Sequence, residues 1–177
     1  INTLILGSSS GIGLSITKKL LENNHRIICL SKNKPNIEHK NFNFHKIDLL
    51  VNNEFEDFLK KYDLKSVDNF IINSGINDVA KLSDISTERL INLYKVNLFP
   101  SFQLLKQISE ISYENKKIKS ILFIASIWSK FGISGRSMYG TSKAALVALA
   151  KHASAELSSN SIFVNCISPG FTKTNMT

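Results

Sequence analysis

The chain has 177 residues, 43% of them hydrophobic and 20% charged. That is the balance of a soluble globular protein able to bury a sizeable core, and it excludes a disordered chain. No apolar run approaches the ~20 residues that cross a bilayer, and Leu4-Ile5-Leu6 is too short for a signal-peptide core, so a single cytoplasmic domain over 1–177 with no membrane contact is expected. The net charge of +8 comes from scattered lysines and from pairs such as Lys18-Lys19, Lys60-Lys61 and Lys116-Lys117, without the zinc-finger, RNA-platform or basic-arm patterns that mark a nucleic-acid binder.

Short apolar runs alternate with helical patterns along the chain. Residues 3–6 read as a first strand, followed by a glycine loop and a helix over about 13–22. Residues 26–30 are a second strand, and 31–41, with Pro35 among polar residues, a loop. A third strand over 43–48 leads to an amphipathic helix over 53–62, with Phe55, Phe58 and Leu59 on one face. The fourth strand is 70–74, a long helical region covers 84–113, the fifth strand is 120–126, a helix spans 137–158 and the sixth strand is 162–168. Such alternation predicts an α/β fold, a doubly wound parallel (Rossmann) sheet with helices on both faces. Nothing repeats, and no low-complexity linker divides the chain. In that topology Cys29 and Cys166 lie four strand spacings apart, ~19 Å, too far for a disulfide. Their spacing fits no metal or redox motif, and two buried, inert thiols are expected.

Strand 1 ends in Gly7-Ser8-Ser9-Ser10-Gly11-Ile12-Gly13, directly before a helix. Gly7 permits the turn, Gly11 lets a pyrophosphate approach the backbone, and Gly13 lets the helix pack close to the sheet. The free amides at the helix start then bind phosphate, with Ser9, Ser10 and Ile12 around it. About twenty residues on, a dinucleotide site for NAD carries an acid for the ribose 2′-hydroxyl. Here strand 2 closes with Ser31-Lys32-Asn33-Lys34, and no carboxylate follows until Glu38. Ser31 and Lys32 suit a 2′-phosphate, so NADP(H) is expected over NAD(H), with the basic surface helping to attract it.

Tyr139 and Lys143 sit four residues apart in a helical stretch, so phenol and ammonium share one helix face. A phenol with a pKa of ~10 is a poor base near neutrality, and a neighbouring cation lowers it. Such a pair can give a proton to a carbonyl oxygen, or take one from an alcohol.

Loop, strand ends and Tyr-x-x-x-Lys together resemble the short-chain dehydrogenase/reductase family, whose phosphate loop is Gly-x-x-x-Gly-x-Gly. The chain departs from it in having Leu6 where a Thr is usual. The resemblance implies that Asp48-Leu49 lie beside the adenine and that Asn73-Ser74-Gly75 pass close to the cofactor. It implies that Ser126, with Ser129 as the alternative if the register differs, hydrogen-bonds the reacting oxygen. Asn97 would hold a water in a proton relay behind Lys143, and Lys143 would also hold the nicotinamide ribose. Pro169, Gly170 and Thr172 would meet the nicotinamide carboxamide.

The expected activity is hydride transfer between NADP(H) and a ketone or secondary alcohol. The ending Pro169-Gly170-Phe171-Thr172-x-Thr174-x-Met176-Thr177 is most similar to 3-oxoacyl-carrier-protein reductases. Ser158-Ser159-Asn160 lacks the basic residue those enzymes use for an acyl carrier protein, so a sugar, polyketide or small ketone stays open. A non-catalytic dinucleotide sensor is the alternative from another class. Family members pair the helices carrying Phe102, Leu105, Ile108 and Ala144, Ala145, Leu146, Ala148, Leu149, Ala153 across a two-fold axis, which implies a homodimer or homotetramer. They also continue through a substrate loop, a helix and a seventh strand, expected here beyond residue 177.

Overall fold

The computed structural model describes residues 1–112 and 118–174. Six parallel strands, β1 (Asn2–Leu6), β2 (Arg26–Ser31), β3 (Phe42–Lys46), β4 (Asn69–Ile72), β5 (Ser120–Ile124) and β6 (Phe163–Ile167), form one sheet in the order β3-β2-β1-β4-β5-β6. Five helices connect them: α1 (Gly11–Glu22), α2 (Glu54–Lys61), α3 (Thr87–Asn97), α4 (Phe99–Ser112) and α5 (Ser137–Leu157). The period of two along each strand sends side chains to alternate faces. Leu4, Leu6, Ile28, Leu30, Phe70 and Ile72 pack with Phe55 and Leu59 of α2, Leu104 and Ile108 of α4, and Leu146 and Ala150 of α5. Ile5, Ile27, Cys29, Ile71 and Ile124 face the other way, toward Ile12, Ile16 and Leu20 of α1.

Leu6 is in register with both Leu30 and Ile72, and Ile72 with Phe123. The loops leaving β1, β4 and β5 therefore emerge side by side at the carboxyl edge. The chain winds outward from β1 in one direction and from β4 in the other, and such a switch point is where open α/β sheets bind ligands.

Three expectations change. The helical region over 84–113 is two helices, broken at Leu98 (φ −130°, ψ −49°), and its expected end, Tyr113, lies outside the described residues. Pro100 falls in the first turn of α4, where a missing N–H costs nothing. Ser74 and Ser126, read as strand ends, lie two residues beyond β4 and β5. Both cysteines are free and Cys29 is buried, but Cys166 is partly exposed, because β6 is an edge strand with Phe163 and Ile167 open to solvent.

The stripes on α4 and α5 divide. Leu105, Ile108, Leu146 and Ala153 pack inward, whereas Phe102 is 53% exposed and borders an open groove with Ala145, Ala148 and Leu149. Among the described residues no helix is long and apolar enough to cross a membrane.

Candidate active site

The glycine loop is built by close backbone contact. Gly7 has φ +85°, and a Cβ there would lie 2.7 Å from the Ser74 nitrogen. A Cβ on Gly13 would run into the Gly7 carbonyl oxygen and lie 2.6 Å from Asn73 Nδ2. Asn73 Nδ2 donates to that same Gly7 oxygen at 2.6 Å, tying the end of β4 to the loop. Ser10 is extended and leads into α1, whose first turn carries no acid, so its free amides offer an uncontested positive end. Ser9, Ser10, Gly11 and Ile12 line a cavity of about 200 Å³ with Gly7, Asn73, Ser74, Gly75, Tyr139 and Lys143. A bare backbone cradle at a helix N-terminus fits a pyrophosphate. The remaining serine, Ser8, is fully buried and donates to Cys29 Sγ at 2.8 Å.

At the far end of β2 the expected adenosine-site residues meet one another. Lys32 Nζ lies 2.8 Å from Asp48 Oδ2. The Asp48 carboxyl is held below its usual value by Lys32 first and by the Leu50 N–H second, while the Lys32 ammonium is raised by Asp48. Ser31 is buried, with its hydroxyl donating to the Asn33 carbonyl at 2.9 Å. Leu49 packs against the core.

Tyr139 and Lys143 sit on the inner face of α5, 8% and 3% exposed. The Ser126 hydroxyl draws the Tyr139 phenol's pKa down and accepts the Trp128 N–H at 3.3 Å. Ser129 faces elsewhere, 3.4 Å from Ser168 Oγ. Lys143 Nζ donates to the Ile124 carbonyl at 3.0 Å and the Ser74 carbonyl at 3.5 Å, and burial lowers its pKa to about 8. Nζ stands 5.9 Å from the centre of the Tyr139 ring.

The phenol differs from expectation. Burial pushes the Tyr139 pKa up, and the groups drawing it down are Ser126 and Arg136, not Lys143, whose ammonium is turned toward backbone carbonyls. Asn97 ends α3 and does more than break a helix. Its Oδ1 accepts the Ile76 N–H at 2.8 Å, and its Nδ2 donates to the Ile76 carbonyl and to Ser142 Oγ, each at 3.0 Å. Ser142 Oγ in turn donates to the Tyr139 carbonyl at 2.7 Å.

A second cleft adjoins the first, sharing Ile12, Ala125, Tyr139 and Thr174 with it. Pro169, Gly170 and Thr172 line it beside Ser126, and the Pro169 carbonyl accepts the Ile127 N–H at 2.9 Å. Sequence reasoning missed Asn77, Trp128 and Arg136 in its wall. Arg136 alone carried a signal, a cation three residues before Tyr139 at the mouth of α5. Met176 and Thr177 of the C-terminal motif lie outside the described residues.

The sequence pattern of the family described as short chain dehydrogenase matches residues 2–177. The chain belongs to that family. It is 30% identical over 184 residues to a 3-oxoacyl-[acyl-carrier-protein] reductase of Buchnera aphidicola, a match covering 98% of this chain and 74% of that protein. It is 28% identical to carbonyl reductase family member 4 of Xenopus laevis, covering 98% and 76%. A mutant 4-hydroxyisoleucine dehydrogenase complexed with NADH and succinate superposes with a TM-score of 0.93 at 30% identity, over 100% of this chain and 76% of that one. A short chain dehydrogenase from Leptospira borgpetersenii with bound NAD+ superposes with a TM-score of 0.89 at 25% identity, over 99% and 73%. The glycine cradle and the Tyr139–Lys143 face are thus parts of a short chain dehydrogenase, an oxidoreductase family with nicotinamide-dinucleotide complexes among its members.

Proposed function

We propose that the protein is an NADP(H)-dependent oxidoreductase interconverting a ketone and a secondary alcohol, with Tyr139 as general acid and base. The observation that supports this most is a cavity with the glycine cradle on one wall and Tyr139 and Lys143 on the other, joined at Tyr139 to the cleft that Ser126 lines. Gly7, Ser9, Ser10, Gly11, Ile12 and Gly13 would hold the pyrophosphate, Asp48 and Leu49 the adenine side, and Ser31 and Lys32 a 2′-phosphate. Asn73, Ser74, Gly75 and Lys143 would line the nicotinamide ribose, and Pro169, Gly170 and Thr172 the carboxamide. When bound, the nicotinamide supplies or accepts the hydride.

The rest is the work of the chain's own groups. Ser126 orients the carbonyl oxygen, and Tyr139 gives it a proton in reduction or removes one in oxidation. Lys143 keeps a positive charge behind the phenol. Asn97 has one lone pair on Oδ1 beyond its bond to Ile76, enough to hold a water leading toward Lys143.

The Lys32–Asp48 pair favours a second reading for the cofactor. If Lys32 stays on Asp48, no cation is left for a 2′-phosphate, and NAD(H) serves. Lys32 is 64% exposed and exposed ion pairs are weak, so a phosphate can draw the ammonium away, which keeps NADP(H) ahead. We further propose a homodimer or homotetramer joined through the groove between α4 and α5. The substrate reading rests on a 3-oxoacyl skeleton, in keeping with the names of the reductase relatives.

Tyr139→Phe tests the mechanism and separates an enzyme from a sensor. The ring stays in place and cofactor affinity should hold, while turnover falls by ~10²–10⁴-fold. Ser126→Ala should act in the same direction. Unimpaired turnover in Tyr139→Phe would remove the mechanism, and an inert parent protein across a broad set of ketones would favour the sensor.

A further inference from the structure

Arg136 precedes α5 and lines the second cleft with Ser126, Tyr139 and Asn77. Among the described residues it is the one charged side chain in that wall. Among the described residues its guanidinium has no ion pair and no hydrogen bond. The acid in the neighbouring loop is not available to it, because Asp78 is held by Arg89 through a 2.9 Å bond to Nε. The other nearby cation, Lys143, is turned into the first cavity toward the carbonyls of Ile124 and Ser74. Asn77 lies in the same wall with its Oδ1 buried and without a partner, so turning its amide breaks no hydrogen bond of that oxygen. The wall also includes the apolar Ile12, Ile133, Trp128 and Phe171, the last two rings meeting edge to face at 5.7 Å, and the hydroxyl residues Thr172 and Thr174.

We propose that Arg136 and Asn77 are specificity-determining residues that receive the carboxylate of a free oxo acid and so bring its carbonyl to Tyr139 and Ser126. This rests on the reductase reading above. A guanidinium without a counter-ion in a cleft wall is available to an anionic ligand. A carboxylate completes it with two parallel N–H···O bonds. The Asn77 amide, turned about its last torsion, adds an N–H to the same anion. Arg136, the residue before α5, and Tyr139, in its first turn, line the same cleft, which places the carboxylate a few bonds from the carbonyl, as in a 3-oxo acid. A carrier-bound 3-oxoacyl thioester has the same ketone but no charge for Arg136.

In reduction the hydride comes from the reduced nicotinamide to the ketone carbon, and the proton from Tyr139 goes to the oxygen. The C=O becomes CH–OH, the nicotinamide is oxidised, the proton is replaced from solvent, and the carboxylate is unchanged.

The test compares short 2-, 3- and 4-oxo acids with their methyl esters, following NADPH and NADH oxidation by the complete protein. The parent should prefer an acid over its ester in kcat/KM. Arg136→Gln should lower the acid-to-ester ratio on the order of 10- to 100-fold, mainly through KM for the acid. Arg136→Lys, a point charge without the planar fork, should keep part of that ratio. A parent that reduces esters as well as acids overturns the proposal without any variant, and so does a ratio that Arg136→Gln leaves unmoved; both leave the reductase reading standing. Failure on every acid, ester and neutral ketone overturns that reading and this proposal with it.

Discussion

Replacing Lys143 by methionine sets the needs of the site against those of the fold. The side chain is 3% exposed, and burial brings its pKa from 10.5 to about 8. At ~1.4 kcal/mol per pKa unit, keeping that ammonium charged inside the folded protein at pH 7 costs about 3 kcal/mol. Methionine fills a similar volume without charge, but it gives up the bonds to the Ile124 and Ser74 carbonyls, which offsets ~1–2 kcal/mol. Lys143→Met should therefore be more stable at pH 7 by about 1–2 kcal/mol, a rise in Tm of a few degrees, while losing both turnover and cofactor affinity.

The pH dependence follows from the direction of the shift. Below pH 8 both folded and unfolded states hold the proton and the full cost applies. Between pH 8 and 10.5 the folded protein releases the proton and the unfolded chain keeps it, so parental stability rises with pH across that window. The variant's advantage should shrink there. Urea denaturation of both proteins at pH 7 and pH 10 measures this. A variant less stable at both values, or a gap that widens at pH 10, would refute the argument.

Lys32→Asp removes the cation and adds an acid beside Asp48, so the NADPH-over-NADH preference should reverse; equal affinities of the parent for both, by fluorescence titration, would count against the cofactor assignment. Gly13→Ala puts a methyl against the Gly7 carbonyl and the Asn73 amide; it should cost ~1–3 kcal/mol in denaturant melts and weaken cofactor binding together with stability. Ala148→Glu sets a charge in the groove between α4 and α5; light scattering should show an oligomer that the variant breaks, and a monomeric parent at micromolar concentration would exclude this interface.

Most of the sheet was legible because the strands carry their pattern locally: Leu4, Ile5 and Leu6 are apolar on both sides and stop at a glycine. Tyr139 and Lys143 were legible for the same reason, since four residues on a helix fix a shared face. What was not legible depends on neighbours distant in sequence. Asn97 ahead of Pro100 offered a helix interruption as one reading, but the break of α3 from α4 comes with Asn97 turning its amide to Ile76, 21 residues away. The partner of Lys32 comes from the loop after β3. The partial exposure of Cys166 depends on β6 being an edge strand, and the direction of the Tyr139 shift depends on how far the fold buries the phenol. Asn77 and Arg136 meet only where the loops after β4 and before α5 come together.

The glycines of this molecule divide its two clefts by how much change each can accept. On the cofactor side, a Cβ at Gly7 or Gly13 strikes backbone, and one at Gly75 would stand 3.1 Å from Lys143 Nζ. On the other side Gly170, in the wall of the second cleft, and Gly132, in the loop near Arg136, have nothing within 4 Å of the position a Cβ would take. Substitution in the first group closes the cradle, whereas substitution in the second adds a side chain to open space and alters what the cleft admits. On the function proposed above, such a chain can drift from one carbonyl compound to another at Gly170 while the cradle stays as it is, because a side chain finds room there and not at Gly7, Gly13 or Gly75.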